Sequence, residues 1–361
     1  MNVLIACDKF KGSLSAREVA LSIQRGLGKG FPSQLCPIAD GGEGFVDAML
    51  AALGGETRSC LVQDALGREI EATYGISSGI AVIEMAEASG LWRIEEEQRH
   101  ILTASTYGTG QLIRDAVTAG VEKILLGVGG SATNDGGTGM AAALGWQFLD
   151  EANQPLLVNP AALADLAWLD GSRALTLPTI EVACDVENPL LGERGATAIY
   201  GPQKGAGPDE REYLEAYLTH LMELSGGESL ARIPGAGAAG GLAWGLMKFT
   251  GATLRPGFDI VAEAVNLEER IAAADLVITG EGSLDSQSLE GKGPIGVIRM
   301  AKEQGKKTAA IAGHISDEVK ASGLLDQSIS LTDSGHPLEY LIANAAGLVE
   351  EAAHEMSKKL K

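Results

Sequence analysis

A run rich in glycine and small polar residues is the part of this chain best suited to bind an anion. It extends from Gly127 to Gly139, contains six glycines and reads GVGGSATNDGGTG. Because glycine accepts positive φ and has no Cβ, consecutive backbone N–H groups can converge on one phosphate. The flanking patterns predict a strand over residues 122–128 and a helix from about Thr138 to Phe148, whose N-terminus would also face the phosphate. The sequence therefore predicts a phosphate-handling enzyme.

Other interpretations of the glycines stay open. Glycine clusters also form tight turns and let helices pack closely on sheets. The run lacks the Gly-Lys-Ser/Thr ending of a Walker A loop. Residues 127–132 fit the dinucleotide pattern G-x-G-x-x-A, and residues 235–240 fit G-x-G-x-x-G, although neither is followed by a strand-ending acid at the usual spacing. A dinucleotide-dependent oxidoreductase and a non-enzymatic sensor of an organic acid are therefore the alternatives.

Further residues supply the chemistry that phosphoryl transfer needs beside a phosphate cradle. Phosphoryl transfer requires carboxylates that hold a cation, a positive group that contacts the moving phosphoryl group, and a residue that deprotonates or positions the acceptor hydroxyl. Carboxylates at predicted strand ends are Asp8, Asp40, Glu43, Asp185, Glu281 and Asp285, and Asp135 is available to a metal or to a helix cap. Lysines within loop motifs are Lys9, Lys11, Lys204 and Lys292. Each of these residues alone can be a cap or a solvated side chain, but together they favour a site.

The elements that position these residues alternate between strand, glycine-rich loop and amphipathic helix. This alternation is typical of a parallel α/β sheet. Ser15 and Glu18 form a capping box ahead of the first helix, and residues 58–74 predict a hairpin. Longer helices are predicted over residues 260–274 and 338–359. Because the carboxyl ends of parallel strands meet at one edge of a sheet, we expect the polar loops to form the active site there.

Composition limits the class of protein. The chain has 361 residues, of which 45% are hydrophobic and 21% charged, which is enough for two domains. A formal charge of −20 argues against nucleic acid or an anionic membrane as partner. Apolar runs stay shorter than the roughly 18 residues of a membrane span, and the first residues predict a strand without a basic leader, so we expect a cytoplasmic protein. The four cysteines and five histidines show no zinc-site spacing.

Eight blocks rich in glycine and polar residues are spread over nearly the whole chain, at residues 6–14, 39–44, 127–139, 183–189, 200–205, 237–241, 256–259 and 279–285. Together they resemble the signature blocks of the glycerate kinase type-1 family, and they occur in the family's order. The resemblance implies phosphorylation of D-glycerate with ATP and Mg²⁺. Bacterial members typically give 2-phosphoglycerate, and 3-phosphoglycerate stays open as the product. The resemblance also implies a fold of two α/β domains with mainly parallel sheets. One domain would be flavodoxin-like and the other similar to Rossmann or restriction-enzyme cores, with the active site in the cleft between them.

Both ends of the chain show strand and helix alternation, which suggests that the termini build one domain together. We therefore expect residues 1–75 and 262–361 to form a discontinuous domain, with residues 76–261 inserted. Oligomeric state is not determined by these patterns, and both a monomer and a homodimer are compatible with them.

The implied reaction leads to a hypothesis for each loop. The candidate catalytic residues are Asp40 at the acceptor hydroxyl, Asp8 as the alternative to it, and Lys9 and Lys11 for substrate or phosphoryl charge. The candidates for binding the nucleotide are Gly129, Gly130, Ser131, Ala132, Thr133, Asn134 and Lys292. The candidate ligands of Mg²⁺ are Asp185, Glu281 and Asp285. The partners are thus two small molecules, D-glycerate and ATP.

Overall fold

The chain folds as a mixed α/β protein with mainly parallel sheets, as the sequence predicts. The computed structural model describes residues 1–39, 41–286, 288–290 and 293–360. It divides into two compact units. The terminal unit contains residues 1–40, 47–54 and 258–361, and the central unit contains residues 41–46 and 55–257.

The elements are numbered in chain order within the described residues. The strands are β1 (Val3–Ile5), β2 (Ser33–Leu35), β3 (Glu56–Gln63), β4 (Glu69–Ser77), β5 (Ile80–Glu84), β6 (Lys123–Gly127), β7 (Gln147–Leu149), β8 (Trp168–Asp170), β9 (Thr179–Ala183), β10 (Thr253–Arg255), β11 (Leu276–Thr279), β12 (Ser283–Leu284), β13 (Lys307–Ala312), β14 (His314–Ile315) and β15 (Gln327–Ser330). The α-helices are α1 (Ala16–Leu27), α2 (Phe45–Leu53), α3 (Ala86–Ser89), α4 (Tyr107–Thr118), α5 (Thr138–Ala143), α6 (Ala196–Tyr200), α7 (Pro208–Ser225), α8 (Glu228–Ala231), α9 (Leu242–Thr250), α10 (Gly257–Ala264), α11 (Leu267–Ala272), α12 (Gly293–Glu303), α13 (Asp317–Ala321), α14 (Leu338–Ala343) and α15 (Ala345–Lys359).

The terminal unit is built on a parallel sheet with the strand order β15-β13-β11-β1-β2 among the described residues. Counted along this unit alone, the order is 2-1-3-4-5, that of flavodoxin-like doubly wound sheets. The order reverses between β1 and β11, which pair in parallel with Val3 opposite Leu276. Ligands of such sheets bind outside the carboxyl ends of the strands at this reversal. The loops that follow β1 and β11 therefore flank the expected ligand position.

Helix α1 begins with the predicted capping box. The Ser15 hydroxyl accepts from the Glu18 N–H (3.3 Å), and the Glu18 carboxylate accepts from the Ser15 N–H (2.8 Å). The buried face of α1 packs with α15 in the core of this unit. Their backbones approach so closely that a Cβ at Gly26 would lie 2.1 Å from the Glu350 carbonyl oxygen.

The central unit contains a sheet with the order β10-β9-β6-β5-β4-β3 among the described residues. Strands β10, β9, β6 and β5 are parallel, and β3 and β4 form the predicted hairpin. Since β4 pairs with β5 in antiparallel fashion, the hairpin belongs to this sheet. The expected domain break near residue 75 is therefore wrong at this point, and the chain divides at residue 55 instead. The last passage between the units follows residue 257, compared with the expected break near 262.

Three predicted helices are shorter than expected. The helix that follows β6 ends at Ala143 instead of Phe148, because Gly145 takes a φ of +102° and the next residues form β7. Asn266, with a φ of +50°, separates α10 from α11 within residues 260–274. Asn344 separates α14 from α15 within residues 338–359. Asparagine tolerates the left-handed conformation seen at Asn266 better than most residues.

Each unit has its own apolar core. In the central unit the core lies around the sheet and α4, with Leu112 and Met140 fully buried. In the terminal unit Ile5, Ile23 and Ile278 are fully buried between the sheet and its helices. None of the described helices has the length and apolar character needed to cross a membrane.

Candidate functional site

The loop between β6 and α5 lies at the carboxyl end of the central sheet and is mostly buried. Gly129 and Gly130 are exposed, whereas residues 131–139 are buried. Gly130, Gly136 and Gly137 take φ values of +72°, +61° and +77°, a region that favours glycine. A bridge to Gly90 fixes the start of the loop, where the Leu91 N–H donates to the Gly130 carbonyl oxygen (2.8 Å). The glycines are thus required by the path of the backbone.

Five backbone N–H groups of this loop have no acceptor within the described part of the chain. Among the hydrogen bonds between described residues, none is donated by the N–H groups of Gly129, Gly130, Ser131, Thr133 and Asn134. The Ala132 N–H differs, because it donates to the Ser89 carbonyl oxygen (2.9 Å). A row of unpaired N–H groups on a glycine-rich turn is a typical anion site. Of the residues predicted to form the cradle, Ala132 is thus the one whose N–H is paired within the described part of the chain.

The N-terminus of α5 does not take part in this cradle, contrary to the expectation. The Gly139 N–H donates to the Asp135 carboxylate (3.2 Å), and the Met140 N–H donates to the Thr106 hydroxyl (2.9 Å). The Thr138 N–H donates to the Asp135 carbonyl oxygen (3.2 Å). Because these donors are already paired, a phosphate would be bound by the preceding loop and not by the helix.

Asp135 acts as a cap in the interior of the unit. Its buried carboxylate accepts from the N–H (2.8 Å) and hydroxyl (2.8 Å) of Thr106, from the Gly137 N–H (3.0 Å) and from the Gly139 N–H. Burial raises the pKa of Asp135, while these hydrogen bonds act in the opposite direction. Of the two roles open to Asp135 in the sequence, metal ligand or cap, the structure shows the cap.

Lys204 lies on the buried side of the loop and contacts it directly. It ends a short 3₁₀ turn (Pro202–Lys204), and 1% of its surface is exposed. Its Nζ donates to the Ser131 Oγ (2.7 Å) and to the Thr133 carbonyl oxygen (2.7 Å). Burial lowers the pKa of Lys204 to about 7, and the negative charge of Asp135 opposes this shift. The sequence marks Lys204 as a lysine in a loop motif, but its contact with the loop depends on tertiary structure.

Two buried polar atoms of the loop have no hydrogen-bond partner among the described residues. They are the Thr133 Oγ1 and the Asn134 Oδ1, in side chains with no exposed surface. The other end of the Asn134 carboxamide is fixed, because its Nδ2 donates to the Thr197 Oγ1 (3.0 Å). Buried polar atoms are nearly always paired, so atoms like these usually mark the position of a ligand or a bound water.

Two other glycine-rich segments pack against this loop. The backbone of Gly41 passes over the end of β6, where a Cβ at Gly127 would lie 2.3 Å from the Gly41 carbonyl oxygen. A Cβ at Gly240 would lie 2.0 Å from the Thr133 carbonyl oxygen, and the Gly136 N–H donates to the Gly240 carbonyl oxygen (3.1 Å). The G-x-G-x-x-G match at 235–240 therefore reflects close packing on the loop, and its geometry gives no support to a dinucleotide site.

In the terminal unit the loops after β1, β11 and β13 meet at one edge, as predicted. The Asp8 N–H donates to the Gly280 carbonyl oxygen (2.8 Å), and the Gly313 N–H donates to the Glu281 carbonyl oxygen (3.1 Å). The Asp8 carboxylate is buried and accepts from the Lys9 N–H (2.6 Å). The side chain of Lys9 is half-buried and that of Lys11 is exposed.

Two of the predicted Mg²⁺ ligands lie together in the terminal unit. Ser288 donates through its hydroxyl to the Glu281 carboxylate (3.1 Å) and through its N–H to the Asp285 carboxylate (3.2 Å). The third, Asp185, belongs to the central unit and accepts from the Gly257 N–H (3.2 Å). Within the described part of the chain, no three His, Cys, Asp or Glu side chains form a metal-binding group. Since Mg²⁺ usually takes one or two carboxylates with water and phosphate oxygens, the pair fits this ion.

Two predicted site residues, Asp40 and Lys292, lie outside the described residues. Their proposed roles at the acceptor hydroxyl and at the nucleotide stay predictions.

The chain is similar to known proteins along nearly all of its length. A model described as "Glycerate kinase family" matches residues 3–361. A glycerate kinase of Halalkalibacterium halodurans is 44% identical over 98% of this chain and 97% of its own length. The glycerate 2-kinase of Escherichia coli strain K12 is 45% identical over 88% of this chain and 87% of its own length. A crystal structure assigned as glycerate kinase 2 of Salmonella typhimurium LT2 has a TM-score of 0.89 and 42% identity, and the match covers 100% of this chain and 98% of that one.

Proposed function

Since the chain belongs to the glycerate kinase family, we propose that it transfers the γ-phosphoryl group of ATP to D-glycerate, giving 2-phosphoglycerate in the cytoplasm. The name of the Escherichia coli relative, glycerate 2-kinase, supports this position of transfer. The blocks that carry the family resemblance include the loop from Gly127 to Gly139.

The observation that carries the proposal is the row of five N–H groups between Gly129 and Asn134 that donate no hydrogen bond to a described residue. The whole chain has a formal charge of −20, which repels a polyphosphate at long range. Binding ATP therefore requires local donors and positive charge that outweigh this repulsion. The loop supplies the donors, and the buried Lys204, which donates to the Ser131 Oγ, supplies a positive charge when it is protonated.

In the proposed reaction a hydroxyl oxygen of glycerate attacks the γ-phosphorus of ATP. The bond from that phosphorus to the β–γ bridging oxygen breaks, ADP leaves, and the hydroxyl proton passes to a carboxylate. We assign the carboxylate to Asp40, with Asp8 as the alternative. Lys9 and Lys11 would balance the charge of the substrate and the moving phosphoryl group, and Lys292 would bind the nucleotide.

Glu281 and Asp285, with Asp185 as the third predicted ligand, would hold Mg²⁺, which neutralises phosphate charge when it is bound. The shared hydrogen bonds to Ser288 orient the first two carboxylates independently of the ion. Ser288 is thus expected to position both ligands.

The test of the reaction is ³¹P NMR of the product formed from D-glycerate, ATP and Mg²⁺, with an EDTA control. A metal-dependent phosphomonoester signal coupled to one proton means 2-phosphoglycerate. Coupling to two protons means that the primary hydroxyl is phosphorylated, which would correct the position and keep the kinase. Absence of any phosphomonoester from the purified protein would overturn the proposed reaction.

Replacement of Asp40 tests its role at the acceptor hydroxyl. Asp40→Asn removes the proton acceptor but keeps the side-chain size, so we expect turnover to fall by about 10² or more with nucleotide affinity nearly unchanged. The measurements are kcat with D-glycerate and the Kd for ADP. Asp47→Asn, on the exposed start of α2, is the matched control and should keep full turnover. Normal turnover of Asp40→Asn would transfer the role to Asp8.

A further inference from the structure

Lys204 keeps a charged side chain almost entirely out of water. Its exposed fraction is 1%, and both of its hydrogen bonds go to the loop, at Ser131 and Thr133. Burying an ammonium group is unfavourable, and an apolar side chain of similar volume is often at least as stabilising. A lysine at this position is therefore poorly explained by stability alone, and its contacts point to the ligand of the loop.

The charge of Lys204 is only partly balanced by its surroundings. Both hydrogen-bond acceptors are neutral, and the carboxylate that acts on Lys204 is that of Asp135, whose oxygens accept from Thr106, Gly137 and Gly139. From α7 the Tyr217 hydroxyl donates to the Asp135 carbonyl oxygen (3.0 Å). The Arg99 guanidinium donates to the carbonyl oxygen of Gln203 (3.3 Å), next to Lys204 in the chain. When Lys204 is protonated, its charge is therefore not fully neutralised, which favours an anion on the loop that it contacts.

The loop itself provides the matching recognition groups. Its N–H groups from Gly129 to Asn134, Ala132 excepted, make no hydrogen bond to a described residue, and Lys204 bonds to the two residues that flank Ala132. The buried Thr133 Oγ1 and Asn134 Oδ1 also have no partner among the described residues. Lys204 thus holds the segment from Ser131 to Thr133, which lies among the polar groups that have no partner in the described part of the chain.

We infer that Lys204 is a positioning residue for the phosphates of the nucleotide. It holds Ser131 and Thr133 so that the unpaired N–H groups converge, and it supplies positive charge from the buried side. It acts through the loop, because its own exposed surface is too small to contact the reacting atoms. The inference rests on the proposed nucleotide role of the loop and adds the residue that maintains it.

A measurable consequence is that nucleotide binding takes up a proton. In the free protein burial lowers the pKa of Lys204 to about 7, so that at pH 8 the side chain is mostly neutral. An anion on the loop favours the charged form and raises this pKa. Binding at pH 8 is then expected to take up close to one proton, and the affinity for ADP to be roughly tenfold weaker at pH 8 than at pH 6.

The experiment is calorimetric titration of the full chain with ADP and Mg²⁺ at pH 6 and pH 8, in buffers of different ionisation enthalpy. The variants are Lys204→Met, without the charge, and Lys204→Arg, which stays charged at both pH values. Lys248→Met is the matched control, since Lys248 lies in the same unit and its Nζ donates to the Gly226 carbonyl oxygen (3.4 Å). Because ADP also titrates in this range, each variant is compared with the wild type under the same conditions.

We expect the wild type and Lys248→Met to take up more protons at pH 8 than either Lys204 variant. At pH 6 the affinity of Lys204→Met for ADP should be at least about tenfold lower than that of the wild type. Lys204→Arg should recover part of this affinity and lack the decrease in affinity between pH 6 and pH 8 that the wild type shows. Equal affinity and proton uptake in the wild type and a folded Lys204→Met would overturn the inference. If Lys204→Met fails to fold, a pH dependence of Lys204→Arg equal to that of the wild type would overturn it.

The proposed function is judged separately, by turnover of D-glycerate with ATP. A wild type that turns over D-glycerate but shows none of the expected proton uptake keeps its proposed reaction and loses the inferred role of Lys204. A wild type that binds no ADP overturns the nucleotide role of the loop and, with it, this inference.

Discussion

Two threonines of the glycine-rich loop differ in one respect that a substitution can isolate. Thr133 and Thr138 are both fully buried. The Thr138 hydroxyl donates to the Asp135 carbonyl oxygen (2.9 Å) and contacts the Tyr217 hydroxyl (3.2 Å). The Thr133 hydroxyl has no partner among the described residues. The same change to valine therefore removes a satisfied group at one position and an unsatisfied group at the other.

We expect Thr133→Val to stabilise the free protein by about 1 kcal/mol or more, because it removes a buried hydroxyl that lacks a partner. It should weaken nucleotide binding if that hydroxyl contacts the ligand. Thr138→Val should destabilise the protein by about 1–3 kcal/mol, since it leaves the Asp135 carbonyl oxygen with one donor fewer. Chemical unfolding and ADP titration of both variants measure these effects. Equal destabilisation by the two changes would mean that water already satisfies Thr133.

At the scale of single residues, the sequence identified the loop but not the function of each member. The glycines and the chemistry of Ser131 to Asn134 follow from residue type, and within the described part of the chain their N–H groups, Ala132 excepted, donate no hydrogen bond. The pairing of Ala132 with Ser89 and the burial of Lys204 depend on contacts with distant segments. Residue type likewise leaves Asp135 open as a cap or a metal ligand, and only its four hydrogen-bond donors decide between them.

At the scale of elements, the segment before α9 supports the loop through direct backbone contact. Gly240 has a φ of +66° and no room for a Cβ beside the Thr133 carbonyl oxygen. Gly226, at the end of α7, has a nearly identical φ of +65°, and a Cβ added there would meet no atom within 4 Å. An alanine at either position would be held in the left-handed conformation. At Gly240 the added Cβ would also clash with the backbone of Thr133.

For this reason Gly240→Ala and Gly226→Ala form a matched pair. We expect Gly226→Ala to lower the free energy of unfolding by about 1–2 kcal/mol, the cost of the left-handed conformation. Gly240→Ala should lower it by about 3 kcal/mol or more and also raise the KM for ATP, because the loop must shift. Urea unfolding and steady-state kinetics test both expectations. A normal KM for a folded Gly240→Ala would show that the loop tolerates displacement.

Element types were predicted more successfully than element ends. The capping box of α1 and the hairpin of β3 and β4 are local signals, and both are confirmed. The helix after Thr138 keeps an apolar pattern to Phe148, yet the chain turns at Gly145 so that β7 can pair with β8. Such pairing involves residues far along the sequence. Periodicity within one segment cannot reveal it.

At the scale of the whole molecule, Lys204 is expected to make stability depend on pH. Its pKa is about 7 in the folded protein and 10.5 when unperturbed, so the unfolded chain binds more protons between these values. Stability from this residue therefore rises with pH across that window and is constant below pH 7.

Lys204→Met lacks this dependence. We expect its free energy of unfolding, relative to that of the wild type, to fall by about 1 kcal/mol per pH unit from pH 7 to pH 10. Urea unfolding of both proteins at several pH values measures this difference in free energy of unfolding. The contributions of the other titrating groups are the same in both proteins and cancel. A constant difference over this range would show that the ammonium is not destabilised by burial.

The sequence places the first boundary between the two units near residue 75, whereas the chain divides at residue 55. The alternation of strands and helices at both ends of the chain points to a shared unit. The hairpin of β3 and β4 follows the first two strands in sequence, and nothing in its pattern shows which sheet it joins. Its pairing with β5 decides the matter, since the pairing brings residues 56–77 into the central sheet.

The discontinuity of the terminal unit has a consequence for synthesis. Strand β1 pairs with β11, and the Thr279 hydroxyl donates to the carbonyl oxygen of Ala6, 273 residues earlier in the chain. On the ribosome β1 and β2 emerge first. The strand that pairs with β1 on its other side, β11, is synthesised much later. Residues 55–257 are complete before then, so the central unit can fold while the terminal sheet waits. We therefore expect a nascent chain that ends shortly after residue 257 to expose β1 and β2 to chaperones and proteases.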